Sequence, residues 1–147
     1  MLRNADTRDA IRIAKLHRLA RSVAMPWLPV VHSPEEDLVF FSEIVLPNEN
    51  VRIVEIENDI AGFIAFCGDW LNHLYVHPDF WGRRFGSLLL EDAKATSKRL
   101  QLWTFQRNTA ARAFYERHQF LEVERTDGAK NEERTPDVRM VWAASDQ

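Results

Sequence analysis

The chain has 147 residues, of which 46% are hydrophobic and 28% charged, which is typical of a folded domain and excludes a disordered or fibrous chain. Its net charge of −3 argues against a nucleic-acid binder, and its single cysteine, Cys67, excludes an internal disulfide and a cysteine-rich zinc site. Because neither a signal peptide nor a membrane-length apolar stretch is recognisable, we expect a cytoplasmic protein that is not bound to a membrane.

The first half of the chain predicts two helices. Asp6 or Thr7 can cap the first helix, which runs to about Val23, and Ser33 followed by Pro34 is a strong signal for the start of the second. Both segments repeat apolar residues at spacings of three and four, which gives each helix one buried face. These residues are Ile13, Leu16, Ala20 and Val23 in the first helix, and Leu38, Phe41 and Val45 in the second.

Strands dominate the middle of the chain. Val51–Ile56 and Ile60–Cys67 flank a turn at Asn58 and Asp59, and therefore predict an antiparallel hairpin. Trp70–Val76 extends this hairpin into a three-stranded meander.

The second half alternates helices and strands. Gly86 to about Arg99 predicts a helix, Leu100–Phe105 a strand and Asn108–His118 another helix, before two final strands at Phe120–Glu124 and Val138–Trp142. A strand–helix–strand–helix order inside an otherwise antiparallel set implies a mixed sheet with helices on its faces. We therefore expect an α/β fold, a mostly antiparallel sheet of about six or seven strands flanked by about four helices, with residues 1–147 forming a single domain.

The loop between the third strand and the third helix has features of a phosphate site. Two of the five glycines, Gly82 and Gly86, lie here beside Arg83 and Arg84, and a helix begins directly afterwards. The first N–H groups of a helix and its positive dipole end favour an anion. The alternative is a basic loop that is merely solvated.

A second candidate segment begins at Asn108. Tyr115 follows two helical turns later on the same face, so an amide and a phenol could together line a cleft. The alternative is a helix-capping asparagine and a half-buried tyrosine.

Together these two segments resemble the GNAT superfamily of acyl-CoA N-acyltransferases. The first is similar to its cofactor loop, Val-x-Pro followed by Gln/Arg-x-x-Gly-x-Gly/Ala, and the second to its Asn-x-x-Ala-x-x-Phe-Tyr-x-x-x-Gly-Phe motif. The resemblance is closest over residues 50–125. Three positions depart from it: Trp81 replaces Gln or Arg, and Arg84 and Gln119 each replace a glycine.

The resemblance implies that acetyl-CoA binds where the strands Leu71–Val76 and Leu100–Phe105 splay apart. The backbone of Leu74, Tyr75 and Val76 is then expected to pair with the acetyl group and the pantetheine arm. The residues expected to hold the rest of the cofactor are Gly82, Arg83, Arg84, Phe85, Gly86, Ser87, Asn108 and Tyr115. No metal and no other cofactor is expected.

The resemblance also implies a direct transfer of the acetyl group to a primary amine in a ternary complex. The N–H of Val76 would stabilise the developing oxyanion, and Tyr115 would protonate the leaving thiolate. His73 is the candidate base, because its intrinsic pKa suits the task, although a hydrogen-bonded, partly buried histidine fits equally well. His32, Glu36 and a water chain are weaker alternatives.

The acceptor pocket is expected between the first two helices and the last strands. Its predicted residues are Trp27, His32, Trp70, Asn72 and Arg139. Nearby carboxylates such as Glu35 favour a cationic amine, either a small molecule or a peptide, and the sequence leaves a homodimer open. Two other hypotheses stay open: a non-catalytic CoA-binding module with a degenerate loop, and an enzyme that takes longer acyl groups along Phe85, Trp103 and Phe105.

Overall fold

The computed structural model describes residues 1–145, which form a seven-stranded mixed sheet with helices on both faces. The strand order is β1-β2-β3-β4-β5-β7-β6. The strands are β1 Leu2–Asn4, β2 Asn50–Ile56, β3 Asp59–Cys67, β4 Trp70–Val76, β5 Arg99–Phe105, β6 Leu121–Thr126 and β7 Asp137–Ala143. All neighbouring pairs are antiparallel except β4 and β5. The expected mixed α/β sheet is confirmed.

The helices begin at the residues that the capping signals indicate. Asp6 caps a short 3₁₀ turn, Thr7–Asp9, that leads into α1, Ala10–Ala24. Ser33 and Glu36 form a reciprocal capping box at the start of α2, Pro34–Val39. This segment continues as a π-helix, Phe40–Val45, and ends in α3, Leu46–Asn48. The remaining helices are α4, Phe85–Ala95, and α5, Thr109–Arg117.

Each face of the sheet has its own apolar core. On one face, α4 and α5 pack over a cluster that contains Leu89, Leu90, Leu100, Phe120 and Met140. On the other face, α1 and the π-helix pack over a cluster centred on Ile13, Phe41, Val45, Ile53 and Phe63. The sheet residues of this second cluster lie on β2 and β3. On the same face of the sheet, helices cover β5, β7 and β6 less completely, and Trp103 and Leu121 are exposed there.

Several sequence-based details were wrong. Strand β1 was not predicted because it has three residues, too few to show a period, and it is held by pairing with β2. The helix predicted to reach Arg99 ends at Ala95, where the Thr96 hydroxyl donates to the carbonyl of Ala93. Val23 is exposed rather than buried, and the hairpin turn lies at Glu57 and Asn58, which both have positive φ.

Candidate functional site

The two parallel strands β4 and β5 separate almost as soon as they meet. Their pairing consists of Trp70 opposite Gln101, at the start of β4. Beyond this point β4 stays paired to β3 on one side, and its other edge faces a gap. The predicted splay between these strands is therefore present, and the open edge of β4 offers unpaired peptide groups.

The hydrogen-bond alternation along β4 shows which peptide groups face that gap. The N–H of His77 donates to the carbonyl of Ala61 on β3 at 2.7 Å. Because successive residues of a strand point to opposite sides, the N–H groups of Val76 and Leu74 point into the gap, whereas the backbone of Tyr75 points to β3. The expectation of backbone contacts therefore fits Leu74 and Val76 but not Tyr75.

Trp81 closes part of this edge. Its indole N–H donates to the carbonyl of Val76 at 2.8 Å, so of the two Val76 peptide groups that face the gap only the N–H stays without a partner among residues 1–145. The residue that departs from the family pattern is thus fixed by β4 itself, although its side chain stays about half exposed.

The loop 82–87 presents the beginning of α4 to the same gap. The side chain of the cap residue Arg84 makes no hydrogen bond to the helix. The first backbone hydrogen bond of α4 runs from the N–H of Leu88 to the carbonyl of Arg84. The N–H groups of Phe85, Gly86 and Ser87 therefore have no partner within the helix. Together with the helix dipole and the exposed Arg83, they form an anion-binding end.

Two departures from the family pattern keep the backbone shape that glycine normally provides. Arg84 has φ 65° and Gln119 has φ 69°, both in the left-handed region that side chains disfavour. In the resembling motifs these are glycine positions. The sequence has changed here, but the local conformation has not.

Helix α5 begins directly after Asn108 and carries Tyr115 two turns later. The side chain of Asn108 accepts a hydrogen bond from the N–H of Ala111, so its oxygen caps the helix. Tyr115 is buried against Phe114 and Phe120, and burial raises the pKa of its phenol, with a smaller contribution from Tyr75. Its hydroxyl is therefore protonated at neutral pH and can donate a proton.

A histidine at the end of α5 is bonded to the loop at the start of α4. His118 Nε2 lies 2.9 Å from Ser87 Oγ, and its Nδ1 lies 3.0 Å from a carboxylate oxygen of Glu91. Lys94 donates to the His118 carbonyl at 2.6 Å. This arrangement fixes the hydroxyl of Ser87 at the anion-binding end, and the sequence reasoning did not identify it.

On the opposite face, His73 lies in an aromatic cluster under α1. Its ring centre is 5.6 Å from that of His17 and 5.2 Å from that of Phe41. Burial, together with the charge of Arg21, lowers the pKa of His73 to about 4, and burial lowers that of His17 to about 2. Both imidazoles are therefore neutral at pH 7 and available as hydrogen-bond acceptors.

The α1–α2 loop contributes two of the predicted acceptor residues. His32 Nε2 lies 2.7 Å from a carboxylate oxygen of Glu132, and this contact raises the pKa of His32. Trp27 packs edge-on against Phe105 at the end of β5, with the Arg107 guanidinium 4.9 Å from its ring centre. The loop thus reaches across to the open end of β5.

The structure does not bring the other three predicted acceptor residues to this place. Trp70 lies at the closed end of the β4–β5 gap. Asn72 lies at the bulge of β4 and donates to Glu49 at 3.0 Å. Arg139 is held on β7 by Gln101 and Glu124.

His17 is the most notable residue that the sequence reasoning missed. His17 lies four residues after Ile13, next to Leu16, and three residues before Ala20. It therefore occupies the buried stripe of α1. A polar residue on such a stripe was the available signal. Within residues 1–145 no group of three or more metal-binding side chains is arranged to hold an ion, and no helix there is long and apolar enough to cross a membrane.

Solved structures with a similar fold include acetyltransferases. YjaB from Escherichia coli in its apo form matches with a TM-score of 0.80 and 18% identity over 99% of this chain and 98% of its own. The paia N-acetyltransferase from Thermoplasma acidophilum, in complex with coenzyme A, has a TM-score of 0.75 and 18% identity over 98% of both chains. YncA from Salmonella typhimurium, with its cofactor acetyl-CoA, has a TM-score of 0.72 and 17% identity over 100% of this chain and 95% of its own.

The sheet with its β4–β5 gap thus has the same fold as these structures. A family model of the acetyltransferase (GNAT) domain matches residues 47–122, which span β2 to the start of β6 and include both motifs. The chain belongs to the GNAT acetyltransferase family. No curated protein matches the sequence at a significant level.

Proposed function

We propose that this protein transfers the acetyl group of acetyl-CoA to a primary amine. The observation that carries this proposal is the open edge of β4 beside the partner-free beginning of α4. The edge of β4 offers the peptide groups of Leu74 and the N–H of Val76, and the beginning of α4 offers N–H groups and positive charge for phosphate. Family membership and the two ligand-bound relatives point to the same donor.

The residues of this chain fit the two ends of such a donor. Leu74 and Val76 can pair with the amide-containing arm, and loop 82–87 can hold the pyrophosphate through the N–H groups of Phe85, Gly86 and Ser87. A Cβ at Gly86 would lie 3.4 Å from the Phe114 ring, an ordinary van der Waals contact, so the first turn of α4 packs directly on α5. Within residues 1–145 only the oxygen of Asn108 is used, in capping, so its amide nitrogen is available to the arm.

The chemistry requires a stabilised oxyanion and a proton donor. Bound acetyl-CoA would supply an activated acetyl thioester. The Val76 N–H, free and directed into the gap, can donate to the carbonyl oxygen as negative charge develops there. The phenol of Tyr115 is protonated at neutral pH and can donate its proton to the departing sulfur, while burial, which raises its pKa, makes it a weaker acid than an exposed tyrosine.

The base that deprotonates the amine is less well defined. His73 is neutral at pH 7, but with its pKa lowered to about 4 it accepts a proton less readily than an ordinary histidine. We propose that it orients the amine through a hydrogen bond and that the proton passes on to solvent. His32 and Glu36 lie further out on the α1–α2 side and remain alternatives.

Other expectations stay predictions. The solved relatives match nearly the full length of the chain, which supports one N-acetyltransferase domain over residues 1–147. The sequence further predicts a cytoplasmic location and an acceptor that is either a small molecule or a peptide. It leaves a homodimer open.

The proposal is tested by incubating the protein with acetyl-CoA and a panel of amines while free CoA is measured with a thiol reagent. We expect CoA release that depends on the amine and a product that carries one acetyl group by mass spectrometry. Binding of acetyl-CoA, measured by calorimetry, without transfer to any amine would overturn the proposal and favour a non-catalytic CoA-binding module.

A further inference from the structure

A pocket opens between α1, the α2–π-helix segment and β4, on the face of the sheet opposite α4. Its volume is about 650 Å³. His73 of β4 lines the pocket, and the neighbouring residue Tyr75 lies on the same face, beside the strand edge that carries the free Val76 N–H. An amine held here is therefore on the correct side of β4 to meet the acetyl group.

The inner wall of the pocket contains an unsatisfied polar atom. His17 is about 92% buried, with a relative exposure of 8%, and its Nδ1 has no hydrogen-bond partner among residues 1–145. Its ring packs edge-on against His73 and, at 4.8 Å between ring centres, against Tyr75. Buried polar atoms are rarely left unpaired, because the loss costs about 1–3 kcal/mol. This nitrogen therefore lacks a partner in the described part of the chain, and which of the two ring nitrogens accepts a hydrogen bond depends on the tautomer of His17.

The outer walls are apolar. Val39, Phe40 and Ile44 all line the pocket, and they stay 52%, 41% and 53% exposed. Phe40 and Ile44 belong to the π-helix, a distortion that is frequent at functional sites because it redirects side chains. Large apolar side chains grouped around a pocket favour an apolar ligand.

The charges at the mouth are mostly neutralised by neighbours. Asp37 accepts from Arg18 at 2.7 Å, Glu132 contacts His32, and Arg21 donates to Glu133 at 3.1 Å. Glu35 has no such partner in the described part of the chain, so the mouth keeps a negative potential. This potential attracts an ammonium group and repels a ligand that carries a carboxylate.

We infer that the acceptor is a primary amine attached to an alkyl or aryl group, held by the imidazoles of His17 and His73 and by the apolar wall of Phe40 and Ile44. The inference rests on the proposed function and names the class of its acceptor. Neutral imidazoles accept N–H hydrogen bonds from the amine, and the apolar wall buries the rest of the molecule. Amino acids and polyamines fit less well, because their second charged group would meet this wall.

The test compares hexylamine and 2-phenylethylamine with spermidine and glycine as acceptors, and measures binding of each amine by NMR without acetyl-CoA. We expect kcat/KM at least tenfold higher for the two apolar amines. Ile44 is half exposed, so Ile44→Ser should leave the fold intact. The substitution should lower kcat/KM for hexylamine about tenfold and weaken the binding of this amine. Leu121→Ser, at a still more exposed apolar position on β6, is the control and should change neither.

The outcomes separate this inference from the proposed function. Acetylation of spermidine or glycine as fast as hexylamine, or indifference to Ile44→Ser, overturns the inference while acetyl transfer stands. Ile44-dependent binding of hexylamine without any acetylation supports the pocket and overturns the proposed function. Failure of hexylamine and 2-phenylethylamine to bind or to react overturns the inference, whereas transfer to another amine of the panel leaves the proposed function standing.

Discussion

The two sides of β4 achieve recognition by different means. On the α4–α5 side, the proposed donor site consists largely of peptide groups: the edge of β4 and the first N–H groups of α4. On the α1–α2 side, the pocket consists of side chains, with His17 and His73 inside and Phe40 and Ile44 outside. Backbone recognition tolerates sequence change, whereas side-chain recognition depends on each residue. One side can therefore stay constant across a family while the other determines the acceptor.

Arg84 and Gln119 illustrate the tolerance of the backbone side. Each occupies a position where the family pattern has glycine, and each keeps a positive φ. The conformation is preserved at some cost in free energy, because side chains disfavour the left-handed region. A change in residue type here alters stability and charge more than the shape of the site.

The largest expected effect is on the chemistry between the two sides. Tyr115→Phe should lower turnover about 10²-fold, because it removes the proton donor, with little change in acetyl-CoA affinity. Tyr75→Phe removes the other tyrosine of the chain and is the matched control, expected to keep most activity. Steady-state kinetics and calorimetry would measure both, and equal losses in the two variants would contradict a special role for Tyr115.

The buried histidines should make the α1–α2 side sensitive to acid. Burial, with positive charge from His73, Arg21 and Arg18, lowers the pKa of His17 to about 2, below its unfolded value of 6.5. Below pH 6.5 His17 binds a proton in the unfolded chain but not in the folded chain. The free energy of unfolding therefore decreases as pH falls. The loss is up to about 2 kcal/mol by pH 5.

Denaturant unfolding at pH 7 and pH 5 measures this effect. His17→Asn should reduce the difference in unfolding free energy between the two pH values. His32→Asn is the control, because Glu132 raises the pKa of His32, so the contribution of His32 is present at low pH and is lost as pH rises. A pH dependence unchanged in His17→Asn would show that His17 does not cause the acid sensitivity.

A smaller effect is expected at the phosphate loop. His118→Ala removes the group that fixes the Ser87 hydroxyl, and the loss of about one hydrogen bond should raise KM for acetyl-CoA roughly fivefold with kcat unchanged. Glu91→Gln keeps the histidine but weakens the hydrogen bond to His118 Nδ1, and should give an intermediate KM. A fall in kcat at constant KM would show that His118 does not contribute to the binding of acetyl-CoA.

The smallest effects separate conformation from charge. Arg84→Gly and Gln119→Gly should each stabilise the fold by up to about 1 kcal/mol, because glycine adopts positive φ without strain. Arg84→Gly alone should weaken acetyl-CoA binding severalfold, because it removes a positive charge. Thermal unfolding and calorimetry measure the two properties, and a destabilised Arg84→Gly would contradict the conformational argument.

The sequence predicted the donor side better than the acceptor side, for a physical reason. A strand end, a loop with Gly82 and Gly86, and a helix start are local features, so Asn108, Tyr115 and the loop could be located from spacing and family resemblance. The acceptor pocket depends on the π-helix, whose extra residue per turn does not follow the helical period, and on His17, which lies on an apolar stripe. Trp70 and Arg139 were assigned there by type, and long-range packing places them elsewhere.

The single bridge between Trp70 and Gln101 has a consequence for the dynamics of the sheet. It joins two separately hydrogen-bonded ribbons, β1–β4 and β5–β7–β6. Because unpaired amides exchange their hydrogen with solvent readily, the Val76 amide should exchange faster than that of His77, which is bonded to Ala61. A ligand seated in the gap would protect the Val76 amide, so the exchange rate of that amide reports occupancy of the gap.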